Sequence, residues 1–69
     1  MDRDAVSSSN IMSAGYDLGS ETLEIEFKDG TVYQYYNVSP HLYEQFQSAP
    51  SKGKFFNLYI KNAVPFSRV

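Results

Sequence analysis

The sequence predicts an α+β domain: a three-stranded antiparallel meander, open to extension by terminal strands, followed by two amphipathic helices packed on one sheet face. Three observations lead there. The chain has 69 residues, about half of an average domain, so residues 1–69 are expected to form a single unit around one core. Apolar residues alternate as in strands from Ile11 to Asn37 and recur at helical spacing from Ser39 onward. Finally, the chain has no Cys, and 16% of it is aromatic, five Phe and six Tyr. A domain of this size buries only about 60% of the surface its unfolded chain exposes. Without disulfides, ring area is what it has to build a core from.

The first strand is expected at Ile11–Tyr16, with Met12, Ala14 and Tyr16 on one face, and Asp17-Leu18-Gly19-Ser20 supplies the following turn. The second, Thr22–Phe27, alternates cleanly, with Leu23, Ile25 and Phe27 opposite Thr22, Glu24 and Glu26. Asp29-Gly30 then marks a hairpin leading into the third strand, Thr31–Tyr36. A two-residue loop would place Gln34 with Leu23, Ile25 and Phe27. A three-residue loop with Gly30 in a bulge instead pairs Phe27 with Thr31 and turns Tyr33 and Tyr35 to the apolar face. The second register sorts the side chains better and is preferred. It predicts that Tyr33 and Tyr35 are mostly buried and that Tyr36 faces outward.

Ser39-Pro40 reads as a helix cap and first helical residue, with Val38 placed to pack on Tyr43. Leu42, Phe46 and Ala49 form one apolar stripe, and Pro50 ends the helix. Ser51 caps a second helix in which Phe55, Phe56, Tyr59, Ile60 and Ala63 make a wider face, expected to run to a stop near Pro65. The alternating tail Phe66-Ser67-Arg68-Val69 can add an edge strand.

The net charge of −2 hides an asymmetry. Residues 1–36 carry two basic and seven acidic side chains, and residues 37–69 carry four basic and one acidic. The strand half is therefore acidic and the helical half basic, which leaves room for a modest polyanion site but not for a wholesale basic surface. No apolar run approaches the roughly 18 residues of a membrane span. The start Met1-Asp2-Arg3-Asp4 lacks the features of a signal peptide, so the cytoplasm is the expected compartment.

Catalytic chemistry finds little support. His41 has no Cys to share a metal with and falls in the first turn of a helix, where an exposed polar residue is ordinary. Glu24 and Glu26 share a strand face and serve more simply to keep it wet. Ser7, Ser8 and Ser9 have no adjacent base. No enzyme activity, metal or cofactor is expected.

The one constellation with a chemical logic is Ser51-Lys52-Gly53-Lys54. Free N–H groups and the helix dipole favour an anion at a helix start, and lysines there oppose the dipole unless something negative binds. Gly53 allows close approach, and Asn57 and Lys61 follow one and two turns on. The Walker spacing is absent. The simpler reading, which is preferred, makes Ser51 a plain cap, Gly53 a packing point and the lysines a solvated rim. Tyr36, facing outward, is the best ring for stacking a base, but for Tyr33, Tyr35 and Tyr36 alike the core reading is preferred, since so short a domain needs its ring area inside.

A set of short segments in order, Val6-x-Ser8-Ser9-Asn10-Ile11, Gly15-Tyr16-Asp17, Leu23-x-Ile25-x-Phe27-x-x-Gly30, Tyr33-x-Tyr35, Val38, Ala49-x-Ser51-x-Gly53, Phe56-Asn57 and Ile60, resembles the KTSC domain family over nearly the whole chain. That family is a short domain occurring alone in bacterial proteins and at the C-terminus of some lysyl-tRNA synthetases. Its Tyr-x-Tyr motif falls on Tyr33 and Tyr35. Where similar chains carry a late tyrosine, this one has Val64, a change confined to packing near Pro65. The family has no settled function, and its synthetase context implies RNA.

Two readings follow. The first is a small non-catalytic module that binds RNA, tRNA or another nucleic acid through the basic patch at the start of the second helix. The second is a protein-interaction module that uses the acidic sheet face or a sheet edge.

Overall fold

Gly30 sets the register of the sheet. Its φ is +90°, a value that suits glycine, and its N–H donates to the Phe27 carbonyl at 3.0 Å while the Phe27 N–H donates to Thr31 at 2.8 Å. The loop is thus the three-residue form, and it pairs Ile25 with Tyr33 and Leu23 with Tyr35. Gln34 consequently lies opposite Glu24, on the other face.

The computed structural model describes residues 1–69. In chain order its elements are β1 (Asp4–Ala5), β2 (Ile11–Asp17), β3 (Thr22–Phe27), β4 (Val32–Tyr35), α1 (Pro40–Ser48), α2 (Lys52–Tyr59) and β5 (Phe66–Arg68). The strands form one five-stranded antiparallel sheet in sequence order. The expected meander is therefore its centre, and both ends of the chain extend it. Edge strands of two and three residues leave little unpaired backbone, a common way of blunting a sheet edge.

The first strand departs from simple alternation. Ile11 pairs with Phe27 but Ser13 pairs with Glu26, so a bulge falls at Met12. The extra residue reverses the phase. Ile11 is fully buried beside Ala14 in the core, and Met12, expected on the same face as Ala14, is 47% exposed.

Ser39 caps α1, its Oγ accepting from the Leu42 N–H at 3.1 Å, and Pro40 takes the first helical position. α2 ends earlier than the spacing of Ala63 suggested. The N–H groups of Ile60 and Lys61 both close on the Phe56 carbonyl, at 3.0 and 2.9 Å. The chain then turns back to lay Phe66–Arg68 along β4. A longer helix would carry the tail away from that edge, so Ala63 falls outside the helix and is exposed, and Tyr59, its last residue, is exposed as well.

Both helices cover the Leu23/Ile25 face. Phe46 of α1 and Phe56 of α2, each 1% exposed, join Ile11, Leu23, Ile25, Tyr35, Val38 and Ile60 in one cluster. Val64 packs at its margin. Tyr16 and Tyr43 stack with centroids 4.2 Å apart, and the Tyr16 hydroxyl donates to the Val38 carbonyl at 2.6 Å. That bond ties β2 to the residue before the α1 cap.

Candidate nucleic-acid interface

The start of α2 is committed to the protein itself. Ser51 Oγ accepts from the Lys54 N–H at 3.3 Å, an ordinary cap. Gly53 is buried. A Cβ there would lie 2.7 Å from Asn10 Oδ1 and 2.9 Å from Ser8 Oγ, so its close approach is to the Ser8–Asn10 loop. Ser8 Oγ accepts in turn from the N–H groups of Asn10 and Ile11, each at 3.3 Å. Helical spacing then separates the lysines. Lys52 shares a flank with Phe55 and Tyr59, while Lys54 shares the exposed stripe of Asn57 and Lys61.

Asn57 and Lys61 meet a different set of residues. They line a groove of about 640 Å³, within the size range of small-ligand sites. Its floor is aromatic: Phe27, Tyr33, Tyr35, Phe56 and Phe66. Tyr35 packs edge-on to Phe56 at 5.0 Å, and Phe66 tilts against Tyr33 at 6.0 Å and Tyr35 at 5.8 Å. Tyr35 is buried as expected, at 4% exposure. Tyr33 is only half-buried, and Phe66 is 56% exposed. One wall is the hairpin turn with Lys28, Asp29 and Thr31; another is the end of α2 with Asn57, Lys61 and Asn62.

Burial, with a smaller contribution from neighbouring Tyr33, pushes the Tyr35 hydroxyl up to about 12. Asp29 is held below the usual carboxylate range by the N–H and hydroxyl of Thr31, with a lesser effect from Arg68. Arg68 pairs with Tyr33 across β5 and β4, which places it on the groove side of the sheet. Lys28 and Lys61 line the groove from the turns after β3 and α2, and Arg68 lies on the same side of the sheet.

The opposite sheet face is polar and largely self-satisfied. Tyr36 lies there, away from α2, its hydroxyl donating to Gln34 at 3.3 Å and bonded to Ser67. The Gln34 amide donates to Glu24 at 2.9 Å, and Arg3 Nη1 donates to the same carboxylate at 2.6 Å. Glu24 is only 8% exposed. The Gln34 bond, followed by Arg3, keeps its carboxyl below the usual range despite burial. Glu26 accepts from Ser13 Oγ at 2.9 Å and lies 3.8 Å from Arg3. The solvated acidic face expected from the alternation is instead a network on the outer sheet face, covered and closed by Arg3. His41 is exposed, no group of acidic or His side chains is arranged to hold a metal ion, and no helix is long and apolar enough to cross a membrane.

A family model described as KTSC domain matches residues 7–64. The chain belongs to the KTSC domain family. It is 41% identical over 59 residues to a lysine–tRNA ligase of Nostoc punctiforme, covering 86% of this chain but only 10% of that ligase. An uncharacterised protein of Stutzerimonas stutzeri is 39% identical, with 88% of this chain and 86% of the relative covered. The crystal structure of a KTSC domain protein from Yersinia pestis superposes with a TM-score of 0.92 at 42% identity, covering 99% of this chain and 96% of that one. KTSC domains therefore occur both nearly alone and as about a tenth of a ligase.

Of the residues picked out from the sequence, Asn57, Lys61, Tyr33 and Tyr35 converge on the groove, and Ser51, Lys52, Gly53, Lys54 and Tyr36 do not line it. Lys28, Asn62 and Phe66 were missed. Lys28 carried a usable signal, being a cation in a turn whose preferred register already directed Tyr33 and Tyr35 to the same side of the sheet as Phe27.

Proposed function

We propose that this KTSC domain is a small non-catalytic RNA-binding module whose site is the aromatic groove, not the start of α2. The observation that carries this is the pairing of half-open rings, Tyr33 and Phe66, with Lys28 and Lys61 in one concavity. Exposed rings stack unpaired bases, and flanking cations hold the phosphates. The relatedness to part of a lysine–tRNA ligase supports tRNA as the first RNA to test. A protein partner on the acidic sheet face is disfavoured, because Arg3 and Gln34 already satisfy Glu24.

The test is fluorescence anisotropy with unmodified tRNA and single-stranded hexamers across a salt series. Three phosphate contacts on a single strand predict a log–log salt slope of about −2. Tyr33→Ala should weaken binding by about five-fold or more, the loss of one stacked base, and Lys28→Ala with Lys61→Ala should flatten the slope. Absence of binding at low salt would overturn the proposal. Loss of binding on Lys52→Ala and Lys54→Ala, with the groove variants unaffected, would move the site back to the helix start.

A further inference from the structure

The last strand of the sheet is β5, and the phase of its hydrogen bonds decides which of its groups stay open. The Tyr36 N–H donates to the Pro65 carbonyl at 2.8 Å, and the Val69 N–H to the Val32 carbonyl at 2.9 Å. With Ser67 opposite Gln34, residues 65, 67 and 69 therefore direct their backbone groups at β4. In an antiparallel ladder the residues between them point the other way, so the N–H and C=O of Phe66 and of Arg68 face out from the sheet. No turn or cap takes them up. Proline commonly protects an edge by presenting its missing N–H to solvent. Pro65 turns that gap towards β4 and leaves the open side complete.

This edge is complementary to itself. About a two-fold axis at Ser67, an antiparallel second copy of β5 sets Phe66 opposite Arg68 and Arg68 opposite Phe66. These are the residues with open groups, so each pair closes two N–H···O=C bonds. The side chains agree with the same register. Phe66 and Arg68 lie beside Tyr35 and Tyr33, both on the groove side, where a guanidinium can lie over a ring. Phe66 is 56% exposed, and Arg68 makes no ion pair within the chain. On the other side Val69, 63% exposed, comes opposite Pro65. Sliding the copy by two residues sets Arg68 on Arg68, a like-charge pair, or opposite Val64, which is outside the strand.

We propose that β5 pairs with β5 of a second copy, giving a symmetric dimer with one continuous sheet in which Arg68 of each copy lies on Phe66 of the other. Because Phe66 also lines the groove, each groove gains a cation from its neighbour, and the pairing holds whether or not the groove binds RNA. A contact of three residues a side falls well below the roughly 800 Å² per partner of a stable complex, so the dimer is weak. An isologous contact occupies both β5 edges and stops growth at two copies.

Sedimentation equilibrium of the whole chain should show monomer and dimer in balance with a midpoint between about 0.1 and 1 mM. At that midpoint the Phe66 and Arg68 amides should exchange hydrogen about two-fold more slowly than in dilute solution, since half the copies protect them. Ser67, already turned to β4, should be unchanged. Arg68→Pro removes an outward N–H and no ladder bond, and should abolish the dimer with the circular dichroism of the sheet intact. If that variant does not fold, Phe66→Lys, which opposes two cations, should weaken dimerisation about ten-fold, whereas Phe66→Glu, facing Arg68 with the opposite charge, should not. Equal effects of these two substitutions overturn the proposal. So does a chain still monomeric at about 1 mM, growth beyond the dimer, or a dimer whose protection maps to exposed Leu58 and Tyr59 instead of β5.

Discussion

The N-terminal segment is held by one glycine and one ion pair, and removing either should release the other. A Cβ built at Gly15 lies 2.2 Å from the Asp2 carbonyl oxygen and 3.1 Å from Arg3 Cγ. Because the first of these is backbone, Gly15→Ala must push Asp2-Arg3 off the sheet. Arg3 then loses Glu24, now 2.6 Å away with the carboxylate side chain 10% exposed. A hydrogen bond to a charged group contributes about 1.5–3 kcal/mol. Freeing Asp4 and Ala5 adds little, since their lost ladder bonds at about 1 kcal/mol each roughly offset the backbone entropy regained. Alanine also restricts the unfolded chain, a gain of about 0.4–1 kcal/mol. The expected net loss is therefore about 1–2 kcal/mol by urea denaturation, and Arg3→Ala should cost about 2. Gly19→Ala serves as the control, because its Cβ would meet nothing nearer than Asp17 Oδ2 at 3.9 Å. The decisive quantity is the coupling. In the double variant Arg3 has nothing left to lose, so the two losses should fall short of additivity by more than 1 kcal/mol. Additive losses, or NMR shifts showing β1 still paired in Gly15→Ala, would refute the reasoning.

Two further predictions concern the hairpin. The Tyr35 hydroxyl titrates at about 12 in the folded chain against the ordinary value of 10.0. Between those values the unfolded chain loses the proton and the folded one keeps it, so stability is intact below pH 10 and falls as pH rises to 12. At about 1.4 kcal/mol per unit the full loss is roughly 3 kcal/mol. Urea midpoints measured at pH 9 and 11 should show a steeper fall in the wild type than in Tyr35→Phe, and equal falls would contradict this origin. Gly30→Ala meets no atom within 4 Å but must hold φ +90°. It should cost about 1 kcal/mol through backbone strain alone, and a neutral result would mean that the turn changes type.

Much of this fold can be read from residue order because local rules decide it. Asp29-Gly30 chooses the bulged loop, the loop fixes the register, and the register places Tyr35 against Phe56. Ser39 and Ser51 cap where serine before a helical pattern should. The misses arise where an extra residue or a distant contact decides. A bulge at Met12 is invisible to a period-two pattern, because Met12/Ala14/Tyr16 alternates as well as Ile11 joined to Ala14 across the bulge. The end of α2 depends on where β4 needs its last partner, which lies outside the helix.

The groove is the more instructive case. A chain of 69 residues needs its ring area inside, which assigns Tyr33 and Tyr35 to the core and makes core and site look like alternatives. In a domain this small the core is only one or two side chains deep, so its margin is also the surface. Tyr35 presents one side to Phe56 and lines the groove with the other, while Tyr33 and Phe66 carry the same floor outward. The rings that stabilise the sheet therefore also form the concavity, and substitutions at Tyr33 should shift stability and binding together. Those at Lys28 and Lys61, which lie on the rim, should shift binding alone, and that separation allows the site to be tested without unfolding the protein.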